Sequence, residues 1–327
     1  MPRQASKEKR QQGNEKTRRR AGPMDKKSPI KVSICNELFQ GWPIEKVFEY
    51  AAQLGYDGVE IAPYTLADSV TEISPRRRIA IRRAAEERGI EIVGLHWLLA
   101  KPEGLYINHP DEIIRIKTQE YIEALIHFCA DIGGKILVHG SPHQRTIQEG
   151  WDDQESWDFA KETFEVCLKT AQKRNVFYCI EPLAHPATNF INTVAEAIQL
   201  VKEIRHPHFK LTFDCRSASA QEKSLPEALV WALESGYLRH VHVNDSNGKG
   251  PGFGEIEFVP ILRTLVSSGY KGYLSVEVFD FTPDPQTIAS RSIGYLEGIL
   301  ETLPEKGVPP GKGFLPSAKK VLRERKS

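Results

Sequence analysis

From Ile30 onward, short apolar runs rich in β-branched residues alternate with amphipathic helical runs, and the alternation repeats eight times. This pattern marks parallel strand-helix units. The strands read KVSIC (31–35), GVEIA (58–62), EIVGLH (91–96), KILVH (135–139), VFYCIE (176–181), KLTFD (210–214), HVHV (240–243) and YLSVEV (273–278). Helical stretches lie near 44–54, 75–88, 111–132, 154–174, 193–205, 226–236, 259–268 and 285–302. Ser74, Thr193 and Ser224 stand where helix caps belong. Eight strands with eight helices and no spare element predict a closed (β/α)₈ TIM barrel, α/β in class, as a single domain over 30–303. A barrel of this kind takes about 250 residues.

Four chemistry-bearing residues end successive strands: Glu181, Asp214, His242 and Glu277. They are 33, 28 and 35 residues apart, about one strand-helix unit each. Barrel enzymes place their chemistry at that end of the strands. A carboxylate in an apolar strand is costly to bury unless it is paired or metal-bound. Three carboxylates and one imidazole converging there predict a hard, mostly oxygen site for one divalent metal. Mn²⁺ suits it best, with Mg²⁺, Co²⁺ or Zn²⁺ left open. The expected substrate is an oxygen-rich small molecule. His240 alternates with His242 on one strand and reads as a packed, hydrogen-bonded histidine.

The remaining composition narrows the field. Residues 1–29 carry ten Lys or Arg and three Asp or Glu, a net of +7 in a chain of net +1, which leaves −6 for the rest. That argues against a nucleic-acid-binding body. Residues 1–29 read as a disordered basic extension, with Met24 as an alternative start, and 304–327 as a flexible basic tail. The chain offers no run of about 18 apolar residues for a membrane span and no apolar core after its basic start. Its five cysteines, Cys35, Cys129, Cys167, Cys179 and Cys215, lack C-x-x-C spacing and read as buried free thiols. A cytoplasmic location follows from that reading, with no membrane or nucleic-acid partner and homo-oligomerisation left open. On the loops after the early strands, Trp97 with His96 and His139 suggests an aromatic and polar wall for a sugar.

Several segments together carry a family resemblance: GYDGVEI (55–61), IEP (180–182), INT (191–193), FD (213–214), HVND (242–245) with PGFGEIEF (251–258), and VEVF (276–279). Over about 30–302 the chain resembles the sugar phosphate isomerase/epimerase barrels, which are xylose isomerase-like, and among them the ketose 3-epimerases. The resemblance implies one divalent metal held by Glu181, Asp214, His242 and Glu277, with Glu181 and Glu277 also serving as the acid/base pair. It implies a metal-dependent epimerase or isomerase of a sugar or keto-sugar that abstracts a proton next to a carbonyl. Two positions depart from the ketose 3-epimerase pattern. Ser217 stands where a histidine is expected and Gly248 where an arginine is expected. Arg216, His185 or Lys249 would then supply replacement substrate contacts. Two alternatives stay open. One is a dehydratase or lyase on a keto-inositol or keto-glycoside using the same metal site, and the other is a non-catalytic binding barrel. The superfamily's endonuclease branch uses three metals, but the Asp-x-His pair it needs after HVND is absent here.

Overall fold

The computed structural model describes residues 30–303. The expected extension over 1–29 and tail over 304–327 lie outside the described residues. Eight parallel strands close on themselves in chain order. They are β1 (Lys31–Cys35), β2 (Gly58–Ile61), β3 (Glu91–Leu95), β4 (Ile136–His139), β5 (Phe177–Ile180), β6 (Phe209–Asp214), β7 (Leu238–Val243) and β8 (Tyr273–Val276). The barrel shuts where β8 pairs with β1, with Val32 beside Leu274 and Ile34 beside Val276. The helices are α1 (Ile44–Leu54), α2 (Pro75–Glu86), α3 (Glu112–Asp131), α4 (Asp153–Arg174), α5 (Val194–Ile204), α6 (Cys215–Gln221), α7 (Leu225–Glu234), α8 (Phe258–Ser268) and α9 (Pro285–Thr302). Among the described residues no helix is long and apolar enough to cross a membrane.

The expected barrel is therefore present as one domain, with one α-helix more than the sequence reading allowed. Helix α6 is the addition. Its residues, CRSASAQ, have no apolar periodicity, and Asp214 starts the helix by accepting the Ser217 N–H at Oδ1, 2.6 Å away. The capping expectations hold at Ser74, Thr193 and Ser224. Thr193 and Glu196 form a full capping box, a motif whose cap residue alone contributes about 1 kcal/mol.

Two apolar regions follow from strand alternation. Leu137, Tyr178, Ile180, Leu211, Phe213, Val241 and Val243 belong to the large core between strands and helices. Val93, Ile136, Val138 and Cys179 alternate with them and form a smaller cluster inside the barrel. The rest of the interior is polar. Ser33, Glu60, Thr212, His240 and Ser275 are all fully buried on β1, β2, β6, β7 and β8. The mouth above this polar half is where the four strand-end residues meet. All five cysteines are free and buried, as expected.

Candidate metal centre

Register brings the candidate ligands together. Asp214 pairs with His242 across β6 and β7, and His242 pairs with Ser275, two residues before Glu277, across β7 and β8. Glu181 follows β5 and keeps the inward phase of Cys179. All four residues are at most 5% exposed. Each of Glu181, Asp214, His242 and Glu277 offers one ligand atom, and these atoms lie within 4.8 Å of one another.

The geometry suits a cation better than a hydrogen-bonded cluster. His242 Nδ1 lies 2.8 Å from Glu181 Oε1 and 3.2 Å from Glu277 Oε2. Yet this contact between His242 Nδ1 and Glu181 Oε1 is an ion pair that lacks the alignment of a hydrogen bond. Atoms this close without donor-acceptor alignment are atoms aimed at a common centre. The electrostatics agree. Burial, reinforced by the nearby Glu181 and Glu277, pushes the Asp214 carboxyl up to about 7. Burial alone would depress the His242 imidazole, but Glu277, Glu60 and Glu181 raise it well above the ordinary histidine range. Such crowding of like charge is what a bound dication relieves. The donor set fits a hard divalent ion of the Mn²⁺ or Mg²⁺ kind.

Several residues that sequence reading did not single out hold these ligands. Asn244, fully buried, donates from Nδ2 to Asp214 Oδ2 at 2.6 Å and to Glu277 Oε2 at 3.3 Å. Its Oδ1 accepts the Arg216 N–H at 2.9 Å, which fixes the direction of the amide. Asp245 next to it accepts four backbone N–H groups, from Ser246, Gly252, Gly254 and Ile256, at 2.7–3.1 Å. That carboxylate folds the PGFGEIEF loop beside the mouth. Gly254 is required there, since a Cβ would sit 2.4 Å from Asp245 Oδ1. Beneath the ligands, Glu60 contacts His240 and His242. Burial opposes its ionisation, but the two histidines hold its carboxyl well below the usual range. The signal for Glu60 was present in GVEI, a carboxylate within an apolar strand. It was masked because the residue sits mid-strand.

Each residue expected at the substrate side has a place. His96 is 1% exposed, with Nδ1 3.3 Å from Glu277 Oε1 and Nε2 2.9 Å from Glu37 Oε2. Burial would lower its imidazole, but Glu37 and Glu277 raise it to about 10. An imidazolium between two carboxylates restrains Glu277. Trp97 holds a left-handed backbone, φ 50°, which is costly for a bulky residue. Its ring meets the partly exposed Phe279 edge-on at 6.3 Å. Arg216 is exposed and lies over the other part of this aromatic shelf, its guanidinium carbon 5.1 Å from the Phe279 ring. Lys249 pairs with Asp280 at 3.6 Å, and His185 is exposed on the loop after β5.

His139 is a correction. It was expected in the substrate wall, but it registers beside Ile180 on the helix-facing side of the sheet. Its Nδ1 lies 2.8 Å from the Tyr178 hydroxyl, and its ring packs on Tyr178 and Phe164. Burial then pushes its imidazole well below the ordinary range.

Comparison with known proteins agrees with this architecture. The family described as "Xylose isomerase-like TIM barrel" matches residues 48–299. The D-psicose 3-epimerase of Ruminiclostridium cellulolyticum is 28% identical over 242 residues, spanning 72% of this chain and 77% of that relative. The 3-dehydro-D-guloside 4-epimerase of Escherichia coli is 24% identical over 273 residues, spanning 82% of this chain and 99% of that relative. Among solved structures, the D-psicose 3-epimerase of Clostridium cellulolyticum H10 superposes with a TM-score of 0.73 at 22% identity, covering 83% of this chain and 99% of that one. The family match spans well over half of the sequence, and the chain belongs to the xylose isomerase-like TIM barrel family.

Proposed function

We propose that this chain is a divalent-metal-dependent epimerase or isomerase of a sugar or keto-sugar, with Glu181 and Glu277 as its acid/base pair. The observation that carries the reading is the convergence of Glu181, Asp214, His242 and Glu277 from four consecutive strands, with one ligand atom of each within 4.8 Å of the others. The names of the relatives give direction. A 3-dehydro sugar epimerised at carbon 4 and a ketose epimerised at carbon 3 are both inverted next to a carbonyl. Proton abstraction beside a carbonyl is the chemistry common to both.

A cation held by the four ligands, Mn²⁺ by the donor set, supplies Lewis acidity toward negative charge that develops on the substrate oxygens. The protein's own residues do the rest. One glutamate accepts the proton from the carbon beside the carbonyl. That C–H bond breaks, and its electron pair enters the C=C bond of an enediolate. The other glutamate, protonated, delivers its proton from the opposite face and forms the new C–H bond. Delivery to the same carbon inverts it, and delivery to the neighbouring carbon isomerises the sugar. Proton exchange with water resets the pair. His96 restrains Glu277, and Asn244 holds Glu277 and Asp214 together. Trp97, Phe279 and Arg216 offer an aromatic shelf and a cation at the mouth, a lining that suits a small carbohydrate.

The test is product analysis by ¹³C NMR after incubating manganese-loaded protein with ketohexoses and 3-keto-glycosides. The expected product is the epimer at the carbon next to the carbonyl, or the aldose-ketose isomer. Loss of water or of the glycosyl group would assign the site to a lyase. No turnover of either substrate class by metal-loaded protein would count against catalysis.

A further inference from the structure

We infer that Glu60 is a positioning residue that selects which nitrogen of His242 faces the cation, and that it thereby sets the metal affinity of the site. The inference rests on the metal reading above. Glu60 lies in the middle of β2, is fully buried, and points into the polar half of the barrel directly beneath the four ligands. The β2–β3 pairing slips by one residue between Val59 and Glu60, as occurs where a side chain is re-aimed.

Both oxygens of Glu60 are committed. Oε1 is 3.2 Å from His242 Nε2. Oε2 is 2.8 Å from His240 Nε2 and accepts the Ser275 hydroxyl at 2.7 Å. Ser275 Oγ in turn is 2.5 Å from Ser33 Oγ. The carboxylate is thus held from β7 and β8 at once, with Ser33 of β1 bracing Ser275 behind it. An ionised carboxylate only accepts hydrogen bonds, so the nitrogen of His242 that faces it must carry the proton. A neutral imidazole with its proton on Nε2 keeps its lone pair on Nδ1, the nitrogen that faces Glu181 and Glu277. A carboxylate behind a metal-bound imidazole also raises the basicity of that ligand.

Space-filling alone does not explain the residue. The β3–β5 side of the same interior is filled by Val93, Ile136, Val138 and Cys179 without any charge. Among the described residues, the one carboxylate within that interior below the ligand level stands under the ligand histidine. A glutamine at position 60 would have nearly the same volume. It has only one acceptor oxygen and adds an N–H₂ group, so it cannot accept from His242, His240 and Ser275 together. Its N–H₂ group facing His242 would favour the opposite tautomer.

The experiment measures Mn²⁺ affinity by competition with a chromogenic chelator, for wild type, Glu60→Gln and Ser275→Ala, each stripped and reloaded. Glu60→Gln should bind Mn²⁺ roughly 10–100-fold more weakly, and Ser275→Ala should lose less in the same direction. A second readout is two-bond ¹H–¹⁵N NMR of the Zn²⁺-loaded wild type, which should show His242 protonated on Nε2. A purely structural Glu60 would lower the melting temperature without moving either readout. Equal affinity in folded Glu60→Gln, or an Nδ1-protonated His242 in the loaded wild type, overturns the inference. If Glu60→Gln does not fold, Ser275→Ala and the wild-type tautomer decide. Failure of the wild type itself to bind Mn²⁺ or Zn²⁺ would refute the metal reading instead, which separates the two.

Discussion

Gly140 has no side chain where the Glu181 carboxylate lies. A Cβ at position 140 would stand 2.6 Å from Glu181 Oε2 and, its chain neighbours aside, would meet no described residue other than Glu181 within 4 Å. Gly140→Ala is therefore a selective probe, since the added methyl strikes the proposed base and little else. A displacement of about 1 Å at a reacting group can cost roughly 10²-fold in rate. We expect a loss of that size in kcat/KM, weaker Mn²⁺ binding, and a melting temperature within a few degrees of wild type. Unchanged activity would show that the position of Glu181 is not critical.

Asn244 bridges two proposed ligands, Asp214 and Glu277, with one amide. Asn244→Ala leaves Asp214 Oδ2 without its 2.6 Å donor in a buried setting and the part-buried Arg216 N–H without its acceptor. Supporting partners of this kind are worth about 10–100-fold in metal affinity. An unsatisfied buried group costs about 1–3 kcal/mol of stability. Calorimetric titration with Mn²⁺ and thermal unfolding of the metal-free protein measure the two losses separately.

Much of this site was legible before the structure, and the limits are physical. Glu181, Asp214, His242 and Glu277 stood out because each ends an apolar strand, where a charge has no reason to be unless something binds it. Glu60 obeys the same rule but sits inside GVEI, where one polar residue resembles ordinary alternation. Only barrel closure tells which face is inward. His139 was misplaced for the same reason. The run KILVH identifies a strand but not its phase, and pairing of His139 with Ile180 turns it toward the helices. Helix α6 escaped because its start depends on an Asp214 cap rather than on apolar periodicity. The stretch 244–257 between β7 and α8 could be read as a loop. The four hydrogen bonds that Asp245 makes to organise it could not.

Metal affinity should fall as pH falls. In the metal-free protein Asp214 is pushed up to about 7, chiefly by burial, and His242 well above its ordinary value by its three neighbouring carboxylates. Both therefore hold protons below pH 7, and a cation must displace them. Apparent affinity should drop by roughly tenfold per pH unit for each displaced proton. The dependence should be steeper below about 7, where two protons leave, than above it, where His242 alone releases one. Mn²⁺ titrations between pH 5.5 and about 8.5 would measure the slope. A flat profile would contradict the assignment of these two residues as ligands.

Protein purified without chelator should contain about one divalent ion per chain, and removing it should lower the melting temperature. Free metal at 100 times its dissociation constant stabilises by about 2.7 kcal/mol. For a barrel of this size that corresponds to roughly 5 °C. Elemental analysis and thermal scans before and after chelation test both statements. Near-zero metal after reconstitution with Mn²⁺, or three ions per chain, would contradict the four-ligand site.

Glu181→Gln and Glu277→Gln preserve volume but remove the proton-accepting carboxylate. Each should cost about 10²–10⁴-fold in turnover, and more where metal binding also suffers. The most direct test of the two-glutamate account is the isotope content of the product when wild type turns over its keto-sugar in D₂O. The account predicts solvent deuterium at the carbon next to the carbonyl, because the proton delivered there comes from a glutamate that exchanges with water. Product formed with no solvent deuterium at that carbon would contradict it, and would point to transfer of a hydride within the substrate.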